Sequence, residues 1–262
     1  MIRALYTAAS GMSAQQMNLD TIANNLANSS TAGFRQRRLQ FQDMIYQNLV
    51  TPGAAQSQQT VSAGLQVGLG TRSSATEVIM TQGELNNTSN PLDIAITGHG
   101  FFQVLRPDGT LAYTRAGAFH LNNQGTLVTS DGDPVQPNIT IPQNATAVTI
   151  TQYGVVNATI PGQTNPQQLG QIQLATFVNP GGLNSIGSNL LQATLSSGDP
   201  VLANPGGIEG LGTLQQGYLE NSNVDVVSEF VQMVLAQRAY ESNSKVIRAA
   251  DDMYSQVNNM AR

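Results

Sequence analysis

Apolar residues near the end of the chain recur with a helical period over an unusually long stretch. Between Asp225 and Arg262 there is no glycine or proline, although both are frequent in the preceding sequence. One apolar series repeats every seven positions: Val226, Met233, Tyr240, Ile247 and Tyr254. This spacing predicts a C-terminal α-helix with a continuous apolar side. At the rise of an α-helix the stretch would extend about 57 Å, longer than a compact domain needs for its own core.

A neighbouring apolar series widens this side of the helix beyond what one partner helix can cover. It also repeats every seven positions: Ala239, Val246, Met253 and Met260. In a two-stranded coiled coil, a second set of heptad positions would join the first series to form the contact stripe. Here that set is mostly polar: Phe230, Gln237, Ser244 and Asp251. This pattern favours packing against several neighbours over a simple two-stranded coiled coil. The alternative interpretation is an ordinary core helix of a soluble domain.

The N-terminal segment, from Ile2 to about Asn28, carries a second long helical pattern. Leucine and methionine recur every seven residues, at Leu5, Met12, Leu19 and Leu26, with Ala8 and Ile22 offset by three. The opposite side is polar with little charge: Ser10, Asn18, Thr21 and Asn25. Gly11 and several asparagines lower the helix propensity, so packing has to stabilise this helix. We expect the two terminal helices to pair, with their surplus apolar faces meeting other copies of the chain.

Short apolar runs separated by turn residues replace the helical pattern from Asn90 onward. The predicted strands are Ile94 to Ile96, Phe101 to Leu105, Leu111 to Thr114, Ala118 to Leu121, Leu127 to Thr129, Ile139 to Ile141, Val148 to Ile150, Val155 to Ile160 and Ile172 to Val178. This spacing is typical of a small sandwich or irregular barrel. The predicted class is α+β: terminal helices paired as a coiled-coil-like layer, with a mostly-β domain inserted between them.

The segment between the N-terminal helix and the β region is polar and has no strong helical pattern. Residues 47–76 are rich in Gln, Ser, Thr, Gly and Ala, which indicates a loop or extended arm, although alternating Leu65, Val67 and Leu69 permit a short strand. The alternatives are a disordered linker and an arm that reaches a neighbouring subunit. The predicted domains are therefore 1–45 with 223–262 for helical assembly, 46–76 as the arm, and 77–222 as the β-rich domain.

Charge and cysteine usage exclude several classes of function. Charged residues make up only 10% of the chain and the net charge is −5, which argues against a nucleic-acid partner. The cluster of Arg35, Arg37 and Arg38 is better explained as a solvated or intersubunit face. There is no cysteine, so no disulfide or thiolate metal site can form. No apolar run is long enough to span a bilayer, and the amphipathic N-terminus does not resemble a cleaved signal peptide.

Candidate catalytic and ligand-binding motifs are each better explained as structural features. Gly98-His99-Gly100 lacks the third glycine and the following helix of a dinucleotide site, and its glycines predict a tight bend. His99 and His120 are the only histidines, and no carboxylate cluster accompanies them. Asp131 and Asp133 form half of a calcium loop, which a turn explains better. We expect no enzyme activity, no cofactor and no metal.

Several motifs in order along the chain resemble signature sequences of the bacterial flagellar rod and hook family. They are Ala23-Asn24-Asn25-Leu26-Ala27-Asn28 with Thr31, Gly33 and Phe34; Asp93 to Val104; Tyr113 to Phe119; Gly217-Tyr218-Leu219-Glu220; and Gln237-Arg238-Ala239-Tyr240-Glu241. The resemblance covers nearly the whole chain. The length of 262 residues is closer to that of a rod subunit than to that of a hook subunit. The predicted arm and the Gly217-Tyr218-Leu219-Glu220 motif are most similar to the distal rod type.

The resemblance implies a structural subunit of the distal rod that polymerises into a rigid tube. Its axial channel would serve export, its wall would transmit torque to the hook, and the β domain would surround the helices. Implied partners are other copies, the proximal rod and hook proteins, the surrounding basal-body rings and the export apparatus. The implied location is the basal body in the periplasmic space, reached without a cleaved signal. The alternatives are a proximal rod or hook-type axial subunit, or a non-flagellar β-rich binding module on a helical stalk.

The predicted subunit interface consists of apolar residues on the two terminal helices. They are Leu5, Met12, Leu19, Ile22, Leu26, Phe230, Met233, Tyr240, Val246, Ile247, Met253 and Tyr254. The low intrinsic stability of both helices also leads to the hypothesis that the chain ends stay open until assembly.

Overall fold

The computed structural model describes residues 2–50, 55–56, 59–60, 64–163, 165–207 and 211–260. Parts of the predicted arm, at 51–54, 57–58 and 61–63, and the predicted helix end at 261–262 lie outside the described residues. The chain forms two compact units. The helical unit comprises Met1–Ala27, Arg37–Val78 and Asp225–Arg262, and the β unit comprises Asn28–Gln36 and Ile79–Val224. The combination of two long helices with a strand-rich unit confirms the α+β class.

Both predicted terminal helices are present. Helix α1 spans Ile2–Ala27 and helix α2 spans Val226–Met260. The Asp225 carboxylate caps α2 because its Oδ1 accepts hydrogen bonds from the backbone N–H groups of Val227 and Ser228, at 3.0 and 3.4 Å. Within the described residues, no helix is both long enough and apolar enough to cross a membrane.

A long β-hairpin completes the helical unit. Strand β1 (Arg37–Asp43) pairs antiparallel with β6 (Thr71–Val78), β2 (Tyr46–Val50) with β5 (Leu65–Gly68), and β3 (Ala55–Gln56) with β4 (Gln59–Thr60). The described part of 47–76 is thus largely paired strand where the composition indicated a loop or arm, and the strand at Leu65 is confirmed. Composition missed β2 and β6 because most of their side chains are exposed on both sides of the ladder, so no apolar alternation marks them.

The β unit contains sixteen short strands in its described part. They are β7 (Leu85–Asn87), β8 (Ile94–Thr97), β9 (Phe101–Leu105), β10 (Leu111–Thr114), β11 (His120–Leu121), β12 (Leu127–Val128), β13 (Val135–Gln136), β14 (Ala147–Ile150), β15 (Val155–Thr159), β16 (Gln167–Gln171), β17 (Leu174–Thr176), β18 (Asn184–Gly187), β19 (Leu190–Gln192), β20 (Val201–Ala203), β21 (Thr213–Gln216) and β22 (Tyr218–Glu220). A single 3-10 turn, Pro180–Gly182, precedes β18.

The main sheet is antiparallel and has the order β18-β19-β10-β9-β17-β20, with β13 also pairing with β9. Strands β14, β15 and β16 form a second sheet, and β21-β8, β22-β7 and β11-β12 form two-stranded ribbons. Gly98 and Gly100 have positive φ angles of 106° and 129°. The predicted bend before β9 is therefore confirmed.

The core covers both faces of the main sheet because β9 is apolar on successive residues. On one face, the rings of Phe102 and Phe119 meet edge to face at 5.0 Å between centroids. On the other face, Phe177 packs against Phe101 and Tyr113, with ring centroids 6.0 and 4.8 Å apart. Such aromatic pairs add stabilisation beyond the area that they bury.

The predicted strand from Ile139 to Ile141 does not form. Both isoleucines are buried, with 4% and 5% exposure, but the segment is irregular apart from a single bridge between Thr140 and Thr126. Its backbone bonds instead with the β11–β12 hairpin, because the Ile141 N–H donates to the Gly125 carbonyl at 2.7 Å. The apolar run therefore reflects burial in the core rather than strand pairing.

Candidate assembly surface

Helix α2 packs against α1 through its smallest and most polar positions. Ala236 and Ala250 are buried and share one face of α2 with Asn243 and the buried Glu229, at intervals of seven residues. On α1, Gly11 faces this seam so closely that an added Cβ would lie 2.8 Å from the Asn243 amide nitrogen. Small residues permit this close approach of the helices. The larger apolar side chains of α2 are displaced to the flanks of the seam.

A buried polar contact fixes the register of the two helices near the start of α2. The Asn25 side-chain amide donates to Glu229 Oε2 at 3.1 Å and to the Arg37 carbonyl at 2.8 Å. Its oxygen accepts from the Arg37 N–H at 2.9 Å. Asn25 and Glu229 are both only 1% exposed, so the assignment of Asn25 to an outer polar face is wrong. A buried polar pair of this kind specifies one alignment, because a shifted alignment would leave its groups unsatisfied.

The β1–β6 ladder covers a second face of α1. On this face the Ser10 hydroxyl accepts a hydrogen bond from the Thr71 N–H at 3.3 Å. Helix α1 is therefore enclosed by α2 on one side and by the hairpin on another, whereas α1 is the main neighbour of α2 among the described elements.

The residues of the predicted interface divide into two groups. Ile22 is buried, and seven others are half-buried: Leu5, Met12, Leu19, Leu26, Met233, Ile247 and Tyr254. The remaining four are exposed on α2: Phe230, Tyr240, Val246 and Met253. The first group has much of its surface occupied within one chain, whereas the second group is available to a partner.

A larger exposed apolar surface, which we call the α2 patch, begins at the first turn of that helix. Its members are Val227, Phe230, Val231, Val234 and Leu235, with exposures between 48% and 72%. Together with Arg238, four of them line an open groove of about 350 Å³. Only Phe230 belongs to the interface predicted from sequence. The others were missed because the heptad series was followed through Val226 and Met233, on a neighbouring strip of the helix.

The hairpin presents a second set of exposed apolar side chains. They are Phe41, Met44, Ile45, Tyr46, Leu49 and Leu65, of which Ile45 is 81% exposed. Several large apolar side chains exposed on one hairpin are a candidate interaction surface. The helical unit therefore has apolar surface on both the α2 patch and the hairpin that a single chain leaves uncovered.

Glu220, from the Gly217-Tyr218-Leu219-Glu220 motif, has a different role, in the interior of the β unit. Its carboxylate binds Arg35 at 2.7 Å and Arg115 at 2.8 Å, and its side chain is fully buried. Burial and the nearby Arg35 lower the pKa of Arg115 to about 10, so this guanidinium stays charged at neutral pH. The prediction that Arg35 lies on a solvated or intersubunit face is wrong, while Arg38 is exposed and pairs with Glu77.

The candidate chemical residues do not assemble into a site. His99 and His120 are exposed, and Asp131 and Asp133 flank a turn closed by the Gly132 N–H and the Thr129 carbonyl at 3.0 Å. Across the described ranges, no group of three His, Asp or Glu side chains is arranged to hold a metal ion.

The helical unit leaves apolar faces uncovered on its terminal helix and hairpin, and family comparisons specify the class of protein. Three family models match: the Flagella basal body rod protein over residues 5–35, the Flagellar hook protein FlgE/F/G D1 domain over 95–158, and the Flagellar basal body rod FlgEFG protein C-terminal over 215–260. These families are structural flagellar proteins and not enzymes.

Full-length relatives narrow the class. Flagellar basal-body rod protein FlgG of Caulobacter vibrioides is 51% identical over 254 residues, covering 96% of this chain and 97% of the relative. The proteins of the same name from Borreliella burgdorferi and Bacillus subtilis are 48% and 41% identical over the whole of both chains. The chain therefore belongs to the family of flagellar basal-body rod proteins, and its relatives are of the FlgG type. The prediction of a structural subunit of the flagellar distal rod is confirmed, and its location is the flagellar basal body.

Proposed function

We propose that copies of this chain polymerise through their helical units into the wall of a rigid tube. The observation that carries the proposal is the α2 patch, whose five apolar side chains are uncovered in a single chain. Covering a large apolar side chain contributes about 1.5–3 kcal/mol. Repeated at every copy, such contacts make a stiff shaft suited to transmitting torque to the hook. The tube would surround an axial export channel.

The exposed members of the predicted interface extend this contact surface along α2. Tyr240, Val246 and Met253 are exposed and would meet helices of neighbouring copies. The half-buried residues on both helices would contribute their remaining exposed surface, in a coiled-coil-like layer. In this proposal the terminal helices are the assembly domain, the segment at 46–76 is an arm, and the β-rich part from 77 to 222 is a separate domain.

The partners follow from membership in the rod family. Other copies of the chain would form the tube, and proximal rod and hook proteins would join its ends. The basal-body rings would surround it in the periplasmic space. The flagellar export apparatus would deliver the chain without a cleaved signal. Full-length similarity to FlgG proteins favours this position over a proximal rod or hook-type subunit and over a non-flagellar binding module.

The order of the elements along the chain supports export before folding. Helix α1 depends on α2 for cover, yet the two helices stand at opposite ends of the sequence. The helix pair can therefore form only after the last residues have been delivered. Protease treatment of the dilute monomer tests this idea: the helix termini should be cleaved before the β unit, and equal resistance would contradict it.

Self-association of purified variants tests the assembly proposal. Val234→Asp places a charge in the centre of the α2 patch, and Gln232→Asp places the same charge at an exposed polar position on the same helix. Sedimentation velocity at rising concentration should show large assemblies for the parent and for Gln232→Asp, and monomers for Val234→Asp. Assemblies of Val234→Asp that match the parent would remove the patch from the interface.

A further inference from the structure

The cluster of Arg35, Arg115 and Glu220 has an unbalanced charge in the interior of the β unit. Two guanidinium groups meet one carboxylate, and all three side chains are at least nine-tenths buried. In the described part of the chain, no other acidic side chain forms an ion pair with either arginine. The cluster therefore holds a net charge of about +1 where burial makes unpaired charge costly.

Glu220 has no capacity left to neutralise the second arginine. Its Oε1 accepts from Arg35 and from the Gly83 N–H, at 2.7 and 3.0 Å. Its Oε2 accepts from Nε and a terminal nitrogen of Arg115, at 2.9 and 2.8 Å. A carboxylate has about four lone-pair positions, and all are occupied here.

The two arginines differ in how many of their donors are used. Arg115 also donates to the carbonyls of Gly98 and Gly100, at 2.9 and 2.7 Å, so its remaining terminal nitrogen is occupied. Arg35 donates to the Thr81 carbonyl at 2.8 Å, but its buried Nε has no hydrogen-bond partner among the described residues. The cluster that lacks a counter-charge thus also contains an unpartnered buried donor, the Nε of Arg35.

A pocket adjoins both guanidinium groups. It has a volume of about 320 Å³ and its lining includes Arg35, Arg115, His99, Met80, Phe101 and Val178. The lining mixes polar and apolar surface, its apolar side chains include Met80, Phe101 and Val178, and Val178 is exposed. Charged donors beside apolar side chains suit a small anion carried on an aliphatic group.

We propose that this pocket binds a carboxylate group. Arg35 is the principal hydrogen-bond donor to that group, and the net positive charge of the arginine–glutamate cluster attracts it. The carboxylate belongs either to a small free acid or to an acidic side chain of a second copy of this chain. The inference goes beyond the assembly role and does not depend on the α2 patch, which lies in the other unit.

Nuclear magnetic resonance of the arginine Nε–H groups tests the proposal directly. Sodium acetate is titrated into the dilute protein against sodium chloride at equal ionic strength. The Arg35 Nε–H resonance should shift to saturation with acetate and stay nearly constant with chloride. In Arg35→Met the Arg35 signal is lost and the Arg115 Nε–H resonance is followed instead. It should show no saturable change with acetate, since the remaining Arg115 and Glu220 form a neutral pair. His99→Gln is the matched control, because it alters the same pocket and keeps both arginines.

A second pair of variants keeps the test decisive if Arg35→Met does not fold. Val178→Asp places a competing carboxylate at the rim and should weaken acetate binding severalfold, whereas Val178→Asn should not. Acetate binding that does not saturate in the parent, or that persists unchanged in Arg35→Met and Val178→Asp, would overturn the proposal.

Protein concentration distinguishes the two sources of the carboxylate. If the Arg35 resonance moves as the protein is concentrated without acetate, and acetate reverses the movement, the ligand is a side chain of a second copy. If the resonance responds to acetate alone, the ligand is a free acid.

Discussion

Replacing Asn25 by aspartate changes one amide into a carboxylate and should make the helix pair sensitive to pH. The Asn25 amide nitrogen lies 3.1 Å from Glu229 Oε2, and both residues are buried. The substitution keeps the shape of the side chain but puts two carboxylates in contact. Two unit charges about 4 Å apart repel by about 4 kcal/mol at an effective dielectric constant of about 20.

Proton binding sets an upper limit on the loss of stability. The introduced carboxyl escapes repulsion by binding a proton, so its pKa in the folded chain rises above the ordinary value of about 4. Holding that proton at pH 7 costs about 1.4 kcal/mol for each pH unit, or about 4 kcal/mol over three units. Allowing for relaxation, we expect Asn25→Asp to lower the free energy of unfolding by about 3 kcal/mol at neutral pH.

The sign of the pH dependence follows from the raised pKa. Above about pH 4 the folded variant binds more protons than the unfolded chain, so its stability falls as the pH rises. Most of the loss should therefore be recovered at about pH 4. Urea unfolding of dilute monomer, followed by helical circular dichroism, measures the difference from the parent at both pH values. Gln16→Glu is the control, because it introduces the same group at an exposed position of α1.

Two results would refute this reasoning. A loss of stability that is the same at both pH values would mean that the repulsion between carboxylates is not its cause. A variant as stable as the parent at neutral pH would mean that Asn25 and Glu229 are not buried in contact.

Three further predictions concern the β unit and the helix seam. Glu220→Ala should lower the free energy of unfolding by about 3–5 kcal/mol, since it leaves two buried arginines without their carboxylate, and denaturant unfolding monitored by tyrosine fluorescence should show a larger loss than for Arg35→Met. Gly117→Ala should lower the thermal unfolding temperature, because a Cβ there meets the Ile94 backbone carbonyl oxygen. Gly11→Ala should be nearly neutral, because the nearest atom is the end of the Asn243 side chain, which can rotate away, and the helix gains propensity of about 1 kcal/mol. Phe102→Ala should cost about 3–5 kcal/mol in urea unfolding, since Phe102 is fully buried, and a loss below about 1 kcal/mol would contradict its place in the core.

The helices were predictable because their pattern is local. The seven-residue repeats of leucine, methionine and tyrosine indicated α1 and α2 nearly to their ends, and Asp225 marked the start of α2. The face on which each residue lies was less predictable. Asn25 belongs to the polar side by its residue type, but it is buried because its amide satisfies Arg37 and Glu229 at once. Such a contact depends on residues distant in sequence.

The strands were likewise predictable only where a local apolar pattern marks them. Runs such as Phe101 to Leu105 alternate between two covered faces and were predicted with their bounds. Strands β2 and β6 are exposed on both sides and carry no apolar alternation, so the segment at 47–76 was predicted as a loop or arm. Ile139 and Ile141 are as apolar as strand residues but are buried in an irregular segment.

The sequence predicted that the terminal helices carry an assembly surface, but it did not predict which residues of α2 are exposed. A long helix with more apolar surface than one partner can cover indicated self-association. Which strip of α2 remains uncovered depends on the side of α2 that packs against Gly11 of α1, and this is the side that carries the small residues Ala236 and Ala250. The α2 patch lies on a strip that the heptad series did not include. Likewise, no sequence pattern around Glu220 indicated that its carboxylate binds two arginines.

A helical reconstruction of assembled polymers by electron cryomicroscopy tests the central claim most directly. We predict a straight tube in which Val227, Phe230, Val231, Val234 and Leu235 of each copy are covered by the helical unit of a neighbour. A tube in which these side chains remain exposed to solvent, or a chain that stays monomeric at all concentrations, would contradict the account.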